Sequence, residues 1–160
     1  MKAATVNEIR KELTQRDAKE LQQLCAHLAR YKKENKELLT YLLFEAHDEE
    51  GYIAGVKADI DEQFEGLQMS NVYFTKKGLR RILRILNKQI RYSGQEKTEV
   101  ELRIAFCDHI IARKIPLRTS QLLTNLYSQQ IKKIGIAVAK LPEDLQFDYE
   151  DSVQKLKSVL

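Results

Sequence analysis

No tryptophan occurs among the 160 residues, and there are only two prolines, six glycines and two cysteines. With so few helix breakers, and with 43% hydrophobic and 31% charged residues, no stretch is apolar-poor enough to read as a disordered linker or tail. Two cysteines, Cys25 and Cys107, do not make a disulfide framework, and without an export signal they point to a reducing compartment. No apolar run approaches the roughly 18 residues that a bilayer span needs. The opening MKAATVNEIRKELTQ is charged and amphipathic at once, unlike a secretion signal or an anchor, so a cytoplasmic protein with no membrane contact is expected.

Motifs of conventional catalysis are missing as well. Phosphate loops, dinucleotide fingerprints, nucleophile elbows and His-Glu-x-x-His pairs are all absent from the chain. That tells against a nucleotide-dependent enzyme, and no cofactor is expected. An active site assembled by folding from distant residues leaves no linear trace, so catalysis is left open, with the balance against it.

What the chain does contain is helical periodicity. Apolar residues recur at steps of three and four almost throughout, and nowhere do they alternate as in a strand. The reading is all-α, about eight helices in one domain spanning 1–160, stacked as an antiparallel helix-pair array resembling an α-solenoid or as an irregular bundle. Expected helices run from Val6 to Gln15, from an Asp17 cap to Lys33, from an Asn35 cap through KELLTYLLFEA, from Glu49 to Leu67, from a Ser70 or Asn71 cap to Ser93-Gly94, from Thr98 to Ala112, from Ser120 to Leu141 and onward from Pro142. KELLTYLLFEA is apolar around most of its circumference, at Leu38, Leu39, Tyr41, Leu42, Leu43 and Phe44, and is expected to be the central core helix. No period with a repeat signature is visible.

The segments ENKELLTYLLFEA, KKGLRRILRILNKQIRYSG and TEVELRIAFC resemble a family of small bacterial all-helical proteins of uncharacterised function. The resemblance covers most of the chain and implies a cytoplasmic helical domain. It carries no activity, cofactor or site residue with it.

Charge is distributed in blocks. The net value is +4, but residues 34–69 carry two Lys or Arg against ten Asp or Glu, and residues 70–140 carry fifteen against four. Within the basic block, KKGLRRILRILNKQIRY, residues 76–92, holds seven cations and no acid. At 100° per residue Tyr73, Lys77, Arg81, Arg84, Lys88 and Arg91 fall within about 40° of Lys77, opposite Leu79, Ile82, Leu83, Leu86 and Ile90. From Lys77 to Arg91 the stripe rises roughly 21 Å, enough to follow several phosphates, with Tyr73 available to stack on an unpaired base. The plainer alternatives are a solvated face, or one neutralised by Asp59, Glu62 and Glu65 across a helical hairpin. A further alternative is charge-registered docking on an acidic partner or a second copy.

Other candidate sites are weaker. Cys25-Ala-His27 and Cys107-Asp-His109 suggest half-sites for zinc, but side chains two apart on a helix diverge by about 200°, so buried free thiols and solvated histidines are expected and no metal is. His47-Asp48-Glu49-Glu50 fits helix capping better than ion binding, and Asp59-Ile60-Asp61-Glu62 lacks the glycine and distal acid of a calcium loop. The tyrosines at 31, 41, 52, 92 and 127 are read as half-buried anchors with hydroxyls in solvent. The expected function is a non-catalytic helical interaction or scaffolding module that binds an acidic protein partner or itself. The alternative is a nucleic-acid-binding protein acting through Tyr73, Lys77, Arg81, Arg84, Lys88 and Arg91.

Overall fold

The computed structural model describes residues 1–159. The chain is all-α: α1 Val6–Leu13, α2 Ala18–Tyr31, α3 Lys33–Thr40, α4 Glu49–Glu65, α5 Val72–Ser93, α6 Glu96–Ala112, α7 Gln121–Val138 and α8 Glu143–Lys157. No strand occurs among the described residues, and no helix among them is long and apolar enough to cross a membrane. The sequence reads as one domain, whereas the backbone contacts gather in two units, Met1–Phe44 and Glu45–Leu160. Each is described by itself.

In the N-terminal unit the helix starts are set by local chemistry. Thr5 and Asp17 each accept a hydrogen bond from the backbone N–H three residues on, and the Glu8 and Glu20 carboxylates accept one from the cap residue's own N–H, two complete capping boxes. The chain turns on Lys32, in extended backbone, and α3 begins at once. Asn35 is therefore not a cap; it lies in the first turn of α3, and its Nδ2 donates to the Leu28 carbonyl at 2.9 Å. After Thr40 the helix widens into a π-type turn over Tyr41–Glu45.

This unit corrects the expected core. Of KELLTYLLFEA only Tyr41 is buried, while Leu42, Leu43 and Phe44 are 55%, 62% and 65% exposed. Cys25, expected to be buried, is exposed, and so are Leu24, Leu28 and Tyr31. Periodicity places apolar residues on a stripe, but it does not supply a partner for that stripe, and three short helices enclose almost no interior.

The C-terminal unit holds the core. Asp48 caps α4 by accepting from the Gly51 N–H at 3.0 Å, and Asn71 caps α5 by accepting from the Phe74 N–H at 3.0 Å. At the other end of α5, Gly94 takes φ 66°, the left-handed turn that a side chain disfavours. α6 is the hub and packs on α4, α5, α7 and α8, so this unit is an irregular bundle around one helix. Accordingly α6 is covered on nearly every side, with Val100, Leu102, Phe106, Cys107 and Ile110 all at 0% exposure. The α7 residues Leu123, Leu126, Tyr127 and Ile134 and the α8 residues Val153 and Leu156 are buried as their spacing predicts. Each large apolar side chain removed from water contributes about 1.5–3 kcal/mol.

Polar ties join the helices of this unit. Arg103, 3% exposed, gives Nε and Nη2 to Glu99 Oε1, each at 2.7 Å, and Nη1 to Gln130 Oε1 at 2.7 Å. The Tyr127 hydroxyl donates to the Leu156 carbonyl at 3.0 Å, and the Tyr52 hydroxyl donates to Gln89 Oε1 at 2.8 Å. These two tyrosines are thus buried with their hydroxyls satisfied inside the protein, not in solvent as expected, because an interior phenol must find an acceptor. Tyr31, at 72% exposure, departs from the expectation in the opposite direction.

Candidate functional site

α5 is a single helix of 22 residues with no break at Gly78. Leu79, Ile82, Leu86 and Ile90 are buried, which fixes the helix's rotation. The opposite side then faces water: Tyr73, Lys77, Arg81, Arg84 and Arg91 are exposed, and Lys88 is half-buried. All six candidate residues therefore lie along one outward ridge.

Most cations of the ridge are not neutralised from within. Lys76, Lys77, Arg80, Arg81, Arg84 and Arg91 form no ion pair within the described residues. The pairs considered across the hairpin, Glu62 or Glu65 with Lys76 or Lys77 and Asp59 with Arg80, do not form. Asp59, Glu62 and Glu65 are exposed, because burial of Ile53, Val56, Ile60 and Phe64 turns these acids toward solvent.

Beside the ridge lies a groove of ≈ 590 Å³ between the end of α4 and the first half of α5. Lys77, Arg81 and Arg84 form its basic wall, Gln63 and Gln68 offer amides, and Leu67 and Phe74 give it an apolar end. Gly78 shapes this end: a Cβ there would stand 2.2 Å from Leu67 Cδ1, so the glycine lets Leu67 lie against α5. Phe74 is 39% exposed and meets Tyr73 edge to face, the rings 5.4 Å apart and inclined by 75°. Neither the groove nor Phe74 was legible in the sequence, since the groove is made by two helices meeting and Phe74 sits off the cationic stripe.

Elsewhere the polar clusters are internally satisfied. A hollow of ≈ 450 Å³ on α4, α6 and α8 is lined by Glu50, Lys57, Lys97, Glu101, Asp148 and Tyr149. In it Lys57 Nζ meets Glu101 Oε2 at 2.5 Å, the Tyr149 hydroxyl donates to Glu101 Oε1 at 2.6 Å, and Lys97 pairs with Glu50. Burial disfavours the charged form of Glu101, but the bonds from Lys57 and Tyr149 outweigh it and hold its carboxyl below the usual range. Burial, and then the bond to Glu101, push the Tyr149 phenol up. Glu49 accepts from Ser93 and Thr98, so the 47–50 cluster serves helix packing, with Asp48 as the cap. The Lys57–Glu101 and Lys97–Glu50 pairs tie α4 to α6, and Tyr149 ties α8 to the Glu101 carboxylate.

The cysteine and histidine pairs do not converge. Cys107 is fully buried, and burial followed by the charge of Asp108 pushes its thiol up to about 12. His109 corrects the expectation of a solvated ring: it stacks on Phe64 at 4.9 Å, beside Arg113 Nη1 at 2.9 Å and Asp61 Oδ1 at 3.6 Å. Burial first, and then the Arg113 charge, lower its pKa. Cys25 and His27 are both exposed on α2. No three His, Cys, Asp or Glu side chains among the described residues are grouped to hold a metal ion.

Comparison of the chain with protein-family models, with curated proteins and with solved structures finds no match. The functional reading therefore rests on the site's own chemistry.

Proposed function

We propose that the chain is a non-catalytic binding module whose α5 ridge runs along the phosphates of a nucleic-acid strand. The observation that carries this reading is a straight row of exposed cations, Lys77, Arg81, Arg84 and Arg91, with no ion pair of their own on a helix whose rotation is fixed by its buried face. A phosphate strand carries condensed counterions, and Lys and Arg that take their place gain affinity by releasing them. The exposed Tyr73 and Phe74 rings beside the row favour a single strand, whose unpaired bases offer faces to stack on. In the polar hollow on α4, α6 and α8 both lysines are already paired, Lys57 with Glu101 and Lys97 with Glu50, which favours a non-catalytic role.

Fluorescence anisotropy with a labelled single-stranded oligonucleotide tests the proposal. If these four cations engage phosphates, the log–log salt slope is about −2.8 and affinity falls roughly fiftyfold between about 50 and 200 mM salt. Arg81→Gln with Arg84→Gln, both at exposed positions, brings the slope to about −1.4. Absence of binding at the low salt, or a slope unmoved by the double variant, overturns it.

A second reading is docking of an acidic protein surface, favoured by the exposed acids Asp59, Glu62 and Glu65 on α4, which a second copy would present to the ridge. That reading predicts no oligonucleotide binding and a self-association that dissolves as salt rises.

A further inference from the structure

The N-terminal unit has helices without an interior. α1 presents Val6, Ile9 and Leu13 at steps of three and four, 72%, 48% and 39% exposed, and has no extensive contact with another element. α2 and α3 enclose an apolar groove of ≈ 260 Å³, and Leu28, Leu38 and Leu42 on its walls are 56%, 37% and 55% exposed. Its one polar wall residue, Asn35, donates to the Leu28 carbonyl and leaves the groove fit for an apolar guest. No α1 residue lines it.

We propose that this unit is a homodimerisation module in which α1 of each copy lies in the α2–α3 groove of the other. Three observations select a second copy as the occupant. The exposed apolar side chains of the contact itself, Val6, Ile9, Leu13, Leu28, Leu38 and Leu42, present on the order of 500 Å² per copy, which matches the apolar share of the roughly 800 Å² per partner of a stable interface. Guest and host are carried by the same short unit, which is the condition for a self-complementary twofold contact. Its charges are mixed and nearly balanced, nine Lys or Arg against six Asp or Glu over residues 1–44, so the surface neither repels its own copy nor selects a partner of one sign. α1 supplies a helix of eight residues, about 12 Å long, with its apolar stripe in register along it.

The state of association, measured by sedimentation velocity on the full chain in reducing buffer, decides the matter. A dimer is expected at about 100 µM that persists in high salt, because apolar burial is not screened as the α5 charges are. Ile9→Glu and Leu28→Glu, at exposed positions that leave the C-terminal core untouched, are each expected to give a monomer with unchanged helical content. Phe147→Glu, at a 77% exposed position in the other unit, is expected to leave the dimer intact. Cys25 on the groove wall reports independently, since Cys107 is buried and does not compete: its alkylation is expected to slow about tenfold from dilute to concentrated protein as the groove fills. A chain that stays monomeric at all concentrations, with Cys25 either open or protected throughout, overturns the proposal. So does a dimer that survives both Ile9→Glu and Leu28→Glu. Oligonucleotide binding by a monomer would leave the α5 reading standing while this one falls.

Discussion

Replacing Arg103 with methionine tests the hub helix most directly. The guanidinium is 3% exposed and engages Glu99 Oε1 through Nε and Nη2 within α6 and Gln130 Oε1 of α7 through Nη1, so of three charge-assisted bonds at 2.7 Å the last joins α6 to α7. Methionine keeps the apolar stem and removes the donors. Breaking a buried pair from one side costs about 3–5 kcal/mol, but the Glu99 side chain is 25% exposed and regains water, which places the loss near the lower figure, about 3 kcal/mol. Gln130, also 3% exposed, has no such relief, and its stranded oxygen accounts for about 1–2 kcal/mol of that loss. Adding Gln130→Leu to the methionine variant is therefore expected to recover about 1 kcal/mol, although Gln130→Leu alone is destabilising. Urea denaturation followed by far-ultraviolet circular dichroism and tyrosine fluorescence reads all four proteins of the cycle, and the single methionine variant is expected to melt about 10 °C lower. A loss under about 0.5 kcal/mol, or a double variant no better than the methionine single, would refute the view that the buried Arg103 network, with its one bond to Gln130, stabilises the hub helix against α7.

Other expectations follow from the same packing. Leu86→Ala, at 0% exposure beneath the ridge, is expected to cost about 3–5 kcal/mol by cavity formation in the same denaturation assay, with the remaining folded protein keeping its cationic face. His109 has a folded pKa lowered by burial and Arg113, so the unfolded chain binds a proton more readily. Its contribution is full above the ordinary histidine value of 6.5 and declines as pH falls from there through the folded pKa. His109→Phe, which keeps the stack on Phe64, is expected to flatten that decline between about pH 7 and 5 in a pH series of melting temperatures; an unchanged slope would assign it to other groups.

The rotation of α5 was legible in the chain because two independent signals agree on it. Leu79, Ile82, Leu86 and Ile90 repeat at helical steps, Lys77, Arg81, Arg84 and Arg91 repeat on the reverse side, and Asn71 and Gly94 mark its ends by local backbone chemistry. A 22-residue amphipathic helix has one low-energy way to sit on a core, so the cationic ridge follows from spacing alone. The same holds for the inner faces of α4 and α7.

KELLTYLLFEA shows the opposite case. Its apolar pattern is denser than that of α5, yet burial requires another surface to be present, and the first 44 residues supply only two further short helices. Likewise the α4–α5 groove, the stack of His109 on Phe64 and the choice of α6 as hub depend on which helices meet, a matter of contacts between residues far apart in sequence. Local spacing by itself determined that this protein is helical, where most helices begin and end, and which way the cations point. Only the tertiary structure decided which apolar faces found a partner, because the free energy of burial belongs to pairs of surfaces and a stripe on one helix is half of such a pair.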